Sequence, residues 1–267
     1  MAIAATMVRR RKNKIPPLRY PLTAELEYKA KLLAIVNDLE RAALNDLKTI
    51  GPMIIADVAA ERNQRVDAWY STLASFLLGV ADKIAKRLLD GLNTVQPIGR
   101  QINAKNLTDW RKQVRAAYGV DILRGEPQLA GMLQAWEQEN LALIKSIPDR
   151  IIEQMRGEMV RAFTQGASMK DLAKIVQDRA GVGRSRAELI ARDQIGRLNG
   201  QLAEMRQRSV GIDEYIWRTS QDERVRPTHR VRDGKTYKWS DPGIKPGSEI
   251  RCRCNSEPVF PGLQVLR

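Results

Sequence analysis

Histidine and cysteine are nearly absent from this chain, with one histidine and two cysteines among 267 residues. So few cysteines exclude a disulfide scaffold. Aromatic residues reach only 5%, which argues against a single-strand nucleic-acid binder built on stacking platforms. No apolar run approaches the roughly 20 residues that cross a bilayer. The longest, such as Phe76-Leu77-Leu78-Gly79-Val80, are short and flanked by charge. The Arg/Lys cluster near the N-terminus is followed by no apolar segment, so neither a secretory leader nor a membrane anchor is expected. A Walker phosphate loop, a nucleophile elbow and a carboxylate cluster suited to Mg²⁺ are also missing.

What is present is positive charge on a composition that folds. Lys and Arg number 45 against 31 Asp and Glu, a net charge of +14. Such a chain is drawn to polyanions, whether nucleic acid, an acidic protein surface or anionic lipid. Apolar residues make up 43% and charged residues 28%, ordinary values for a chain with a buried core.

Residues 1–22 read as a basic flexible arm. Arg9, Arg10, Arg11, Lys12, Lys14 and Arg19 occur there with no acid, and Pro16, Pro17 and Pro21 forbid a continuous helix. Such a segment is either a solvated tail or an arm that orders on a polyanion or partner protein. Residues 23–130 read as a helical region. Leu26, Ala30, Leu33, Val36, Leu39, Ala43, Leu47 and Ile50 recur at helical steps. Gly51-Pro52 is expected to stop or bend that helix. A second amphipathic run carries Trp69, Leu73, Phe76, Leu77 and Val80, and a shorter helix is expected from about Leu107 to Tyr118. Further helices are expected before and after Pro148, with Ser168 and Asp171 at capping-box spacing and a break at Gly181-Val182-Gly183. Periodicity ends near Arg208.

Beyond it, residues 209–267 are turn-rich and β-prone. Residues 212–219 read as a strand, and Asp233-Gly234 between 230–232 and 235–239 reads as a hairpin turn. The fold class is therefore α+β: a large all-helical N-terminal body followed by a small β-hairpin-containing C-terminal lobe. The lone His229 and both cysteines, Cys252 and Cys254, fall inside this lobe. A Cys-x-Cys pair on a tight turn points both sulfurs at one ion, and zinc takes four ligands of this type. Asp222 is the favoured fourth ligand, with Asp233 and Asp241 as rivals. The plain alternative is that the cysteines pack as small apolar groups and the histidine caps a turn. A nuclease-like enzyme built on Asp222, Arg224 and His229 is a further alternative, in which His229 serves as base and the arginine binds phosphate. One histidine does not supply both acid and base, and no enzymatic activity is expected.

Four pieces occur in order: Ala191-Arg192-Asp193-Gln194, then Tyr215-Ile216-Trp217-Arg218-Thr219-Ser220-Gln221-Asp222-Glu223-Arg224-Val225-Arg226-Pro227-Thr228-His229, then Asp233-Gly234, then Arg251-Cys252-Arg253-Cys254. In this combination the chain resembles the phage Mu protein F-like family of minor head, or head morphogenesis, proteins. Trp136, Asn140 and the stretch 143–148 resemble the family's lead-in. The resemblance covers roughly 130–260 and makes 131–267 a Mu F-like module, with helices to about 208 and a β-containing lobe over 209–267. It implies a minor capsid component of a tailed bacteriophage. Such a protein associates with the portal protein, and with major capsid or scaffold protein, at the capsid interior during head assembly. The implied location is the virion, beside packaged DNA, and the host cytoplasm during assembly. The resemblance also favours a structural zinc on Asp222, His229, Cys252 and Cys254. With few residues after Cys254, the toxin domain that some relatives carry is not expected.

Overall fold

A computed structural model describes residues 15–61, 68–121 and 125–261. The long helices are α1 (Leu22–Glu61), α2 (Ala68–Asn93), α3 (Val95–Tyr118), α4 (Leu129–Thr164) and α5 (Met169–Ser209). After them come strand β1 (Glu214–Arg218), the one-turn helix α6 (Pro227–Arg230), and strands β2 (Thr236–Lys238) and β3 (Asn255–Pro258). This is the expected order, a helical body and then a small β lobe. None of the described helices is long and apolar enough to cross a membrane. By contacts the chain forms two compact units. One combines Met1–Glu25, Pro97–Trp136 and Arg192–Arg267, and the other combines Leu26–Gln96 and Glu137–Ala191.

The second unit is entirely helical. Its buried stripe on α1 runs through Tyr28, Leu32, Ile35, Val36, Leu39, Ala43 and Leu47, while Leu26 stays exposed. From Val36 to Leu47 this is the expected stripe, but in the first turns Tyr28, Leu32 and Ile35 are buried in place of Leu26, Ala30 and Leu33. Tyr28 explains the shift, because it is amphipathic and its hydroxyl donates to Asn140 Oδ1 at 2.8 Å inside the core. α1 also runs through Pro52, where a stop or bend was expected, and α4 runs through Pro148, where two separate helices were expected. A helical proline costs about 3 kcal/mol, and burial of Leu47 and Ile54 around Pro52, and of Ile144, Ile147 and Ile151 around Pro148, outweighs it. Gly51 and Gly183 are contact points rather than breaks. A Cβ on Gly51 would stand 2.5 Å from Met169 Sδ, and one on Gly183 would stand 2.4 Å from Ile151 Cδ1.

The first unit holds the sheet, in the order β2-β1-β3 with both pairings antiparallel. β1 is the central strand, and Tyr215, Ile216 and Trp217 are all buried in it, as a strand covered on both faces requires. Although aromatics are scarce overall, they concentrate here. Tyr215, Trp217 and Trp239 form one core cluster with Cys252 and Cys254. The Asp233-Gly234 turn exists, with Gly234 at φ 75°, but it does not join two strands. The segment before it is α6 and its trailing turn, and β2 pairs with β1 instead. Pro227 at the start of α6 accounts for this, since a proline fits the first turn of a helix and gives a strand no donor.

Candidate metal centre

His229 is presented by α6. Pro227 opens that helix, and Arg226 before it is extended, at φ −61° and ψ 147°, as a residue preceding proline prefers. The imidazole is 3% exposed and meets the Trp217 ring edge-on, with centroids 5.3 Å apart. The two cysteines arrive from the segment leading into β3, whose pairing with β1 fixes Cys254 beside the sheet. Two glycines of α5 make room for that segment. A Cβ on Gly196 would lie 2.6 Å from the Cys252 carbonyl oxygen, and one on Gly200 would lie 2.4 Å from the Pro246 carbonyl oxygen.

The three side chains converge. His229 Nδ1 lies 3.6 Å from Cys252 Sγ and 3.5 Å from Cys254 Sγ. All three ligand atoms stand within 4.8 Å of one another, and all three residues are buried. Sulfur and imidazole nitrogen held about 2.3 and 2.0–2.1 Å from a tetrahedral ion stand roughly 3.5–3.6 Å apart. The observed separations are those edges.

The surroundings suit thiolates. His229 Nε2 pairs with Glu249 Oε2 at 2.7 Å, which assigns the ring proton to Nε2 and turns the Nδ1 lone pair toward the sulfurs. Arg226 Nη1 donates to the same Glu249 oxygen at 2.8 Å. The His229 hydrogen bond is the main reason that the Glu249 carboxyl is held below its ordinary value, and Arg226 adds to it. Cys252 is drawn down to about 6, first by the hydrogen bond from the Cys254 thiol and then, against burial, by the backbone N–H groups of Cys254 and Gly247. The same shared bond pushes Cys254 up. The pair thus readily gives up one proton and holds the second until a cation arrives. The indole Nε1–H of Trp217 is buried beside the cysteines. It acts on Cys254 in the direction that favours the thiolate. Two sulfurs and an oriented imidazole fit a soft, borderline cation such as zinc. The cysteines also pack against aromatics, as the plain alternative expects, so packing and ligation use the same positions.

A cleft of about 320 Å³ opens beside the cluster, and Asp222 lines it together with His229, Cys252 and Cys254. Asp222 is half-buried, and its Oδ1 accepts from Ser220 Oγ at 3.2 Å and from the Arg224 N–H at 3.2 Å. It does not belong to the close group of three ligand atoms. Asp233 staples the loop after β1 by accepting from the Thr219 N–H and from Gln221 Nε2, both at 2.8 Å. Asp241 accepts from the Lys238 N–H at 2.8 Å. With Nε2 engaged by Glu249 and Nδ1 facing the sulfurs, His229 has both ring nitrogens committed. Arg9, Arg10, Arg11, Lys12 and Lys14 lie outside the described residues. Arg19 is exposed, and its backbone N–H donates to Asp109 Oδ2 at 3.1 Å.

Sequence reasoning missed Glu249 and Trp217 as a thiolate neighbour, and it took Gly196 and Gly200 as allowing close helix packing without tying them to the site. Glu249 carried no local signal, since its partner lies 20 residues earlier. Gly196 had a signal in its four-residue spacing from Gly200, which marks a helix face that something approaches closely.

Residues 153–257 match the family described as Phage Mu protein F like protein. The matched segment includes His229, Cys252 and Cys254. Among curated proteins, the chain is 29% identical over 262 residues to an uncharacterized protein of Haemophilus influenzae, covering 94% of this chain and 56% of that protein. It is 28% identical over 127 residues to an uncharacterized protein of Methanocaldococcus jannaschii, covering 47% of this chain and 20% of that protein. The match therefore spans little more than half the length of the first of these relatives and a fifth of the second. No solved structure matches it.

Proposed function

We propose, from the Phage Mu protein F like match over residues 153–257, that this chain is a minor head protein of a tailed bacteriophage. In this reading it associates with the portal and with the major capsid or scaffold protein at the capsid interior during assembly, and it stays in the virion beside packaged DNA. The carrying observation is that the matched segment holds, in order, the Arg192 helix, the stretch from Trp217 to His229, the Asp233-Gly234 turn and the Cys252-Arg253-Cys254 close. A net charge of +14 suits a place next to DNA. The role is structural rather than catalytic. His229, Cys252 and Cys254 hold one zinc ion that staples a lobe with few core residues, and Asp222 is the chain's own group for the position facing the cleft. The basic arm, from Arg9 to Arg19, is the contact to portal or DNA.

Mass analysis of purified heads and co-purification with portal protein test this reading. A few copies per head and capture by portal are expected. A chain found only in the soluble fraction of infected cells would overturn it. Deleting residues 1–20 should lower incorporation and should remove the salt-sensitive part of DNA binding.

A further inference from the structure

The cleft beside the cluster has an excess of guanidinium groups. Arg192, Arg224, Arg226, Arg251 and Arg253 all line it, against a single lining carboxylate, Asp222. Five like charges around about 320 Å³ repel one another unless each has a partner. The chain supplies partners for three of them. Arg253 and Arg192 both reach the buried Glu25, at 3.1 Å from Arg253 Nε and 3.5 Å from Arg192 Nε. Arg226 is held by Glu249. The other two are left over. Among the described residues the Arg224 guanidinium has only its exposed neighbour Glu223, at 3.7 Å. Arg251 makes no ion pair or side-chain hydrogen bond among the described residues. A zinc ion with two thiolates is neutral as a unit, so filling the metal site does not cancel this surplus.

The backbone at the two lips of the cleft has a second peculiarity. Among the described residues, the only non-glycine residues with positive φ are Gln221, at 59°, and Arg251, at 61°. Gln221 immediately precedes Asp222, and Arg251 immediately precedes Cys252. Left-handed backbone is strained for a bulky residue such as Arg. Glycine would remove that strain at position 251 but would also remove the guanidinium.

We propose that this cleft is an oxyanion site that binds one phosphate group between the Arg224 and Arg251 guanidiniums. Arg forks match the geometry of phosphate oxygens and form charge-assisted hydrogen bonds with them. The cleft volume lies at the low end for small-ligand pockets, which leaves room for a phosphate with part of the group attached to it. The inference deepens the DNA-proximal part of the proposed function by naming where a phosphate is held, and the same chemistry is offered by a DNA backbone and by free inorganic phosphate.

Calorimetric titration of the full chain separates these sources, with inorganic phosphate in one arm and a short DNA duplex in the other. The test variants are Arg224→Gln and Arg251→Asn, because asparagine tolerates left-handed backbone better than most residues. Arg41→Gln, on the exposed surface of the helical unit, is the control. Each cleft variant should weaken binding about tenfold, as expected for losing a charged hydrogen bond, and the control should leave it unchanged. A loss confined to the phosphate arm assigns the site to a small anion. A loss in the duplex arm assigns it to the DNA backbone. Absence of binding in both arms, or equal binding by wild type and both cleft variants, overturns the proposal. Metal content measured on every sample shows whether a variant lost the anion or lost the cluster. Exclusion of the protein from heads would count against the head reading alone.

Discussion

The two units are held together by different kinds of interior. The helical unit buries aliphatic seams such as Leu32, Leu39, Leu73, Leu77, Ile144 and Ile151, and among its described residues the buried polar side chains are Thr94 and Asn140. The unit with the sheet buries Glu25, Asn106, Asn199, Arg206, Gln207, His229 and Ser256. Arg206 is 1% exposed, and it donates from Nε to Glu126 at 2.7 Å and from Nη1 to Asn106 Oδ1 at 2.6 Å. Gln207 bridges Ser256 Oγ, at 3.1 Å, and the Trp239 indole N–H, at 3.2 Å. Apolar seams are non-directional and absorb a lost methylene as a partial cavity. Buried polar networks require every member, because a stranded partner pays its full desolvation. The comparison predicts graded stability effects in one unit and all-or-none effects in the other.

The sharpest test of that contrast is the cluster. Cys252→Ser or Cys254→Ser should abolish stoichiometric zinc, loosen residues 209–261 and expose Trp217 and Trp239, with helical circular dichroism nearly unchanged. Elemental analysis and tryptophan fluorescence check this, and a strong chelator should reproduce it on wild type. If the variants retained metal, the centre as described would be wrong.

Truncation of Glu25 comes next. Glu25→Ala leaves Arg192 and Arg253 facing each other in a buried place, and breaking such a pair costs about 3–5 kcal/mol. Leu77→Ala in the helical unit should cost about 2–5 kcal/mol by cavity formation. Denaturant melts compare the two, and metal affinity separates them: it should fall with Glu25→Ala, because Arg253 lies between the two cysteines, and should not change with Leu77→Ala.

Glu249→Gln is milder. It keeps a hydrogen-bond acceptor for His229 Nε2 but loses the charge, so metal affinity should drop by about 10–100-fold without loss of the fold. Competition with a chromogenic chelator reads this directly.

The smallest expected effect is on pH. Burial opposes ionisation of Glu25, but hydrogen bonds from Arg253 and Tyr20, and the charges of Arg253 and Arg192, hold its carboxyl below the usual value of 4.5. A group depressed in the folded state contributes stability that is fully present above its unfolded value. That contribution is lost as pH falls below 4.5 and through the lower folded value. Melts of wild type and Glu25→Gln should therefore differ at neutral pH and converge in acid, whereas Leu77→Ala should stay offset from wild type throughout.

Local chemistry determined much of this molecule from the chain alone. Helical periodicity announced the body, the Ser168–Asp171 capping box forms as spaced, with the Ser168 N–H donating to Asp171 at 2.9 Å, and the grouping of His229 with Cys252 and Cys254 announced the cluster. These are properties of neighbouring residues or of composition within a short segment. Tertiary structure decided the rest. Pro52 and Pro148 stay inside helices because burial on both sides exceeds the cost of one missing hydrogen bond, and no local rule contains that burial. Gly196 and Gly200 matter only because the Cys252 segment and the Pro246 turn come to lie against them. Glu249 orients His229, and Glu25 neutralises two arginines from 167 and 228 residues away, because a carboxylate's partner is whatever cation the fold brings within reach. The arginines of the cleft are ordinary surface charges in the sequence. Only the packing of the loop after β1 against the Cys-Arg-Cys segment turns them into a site, since repulsion among charges depends on distance in space and not along the chain.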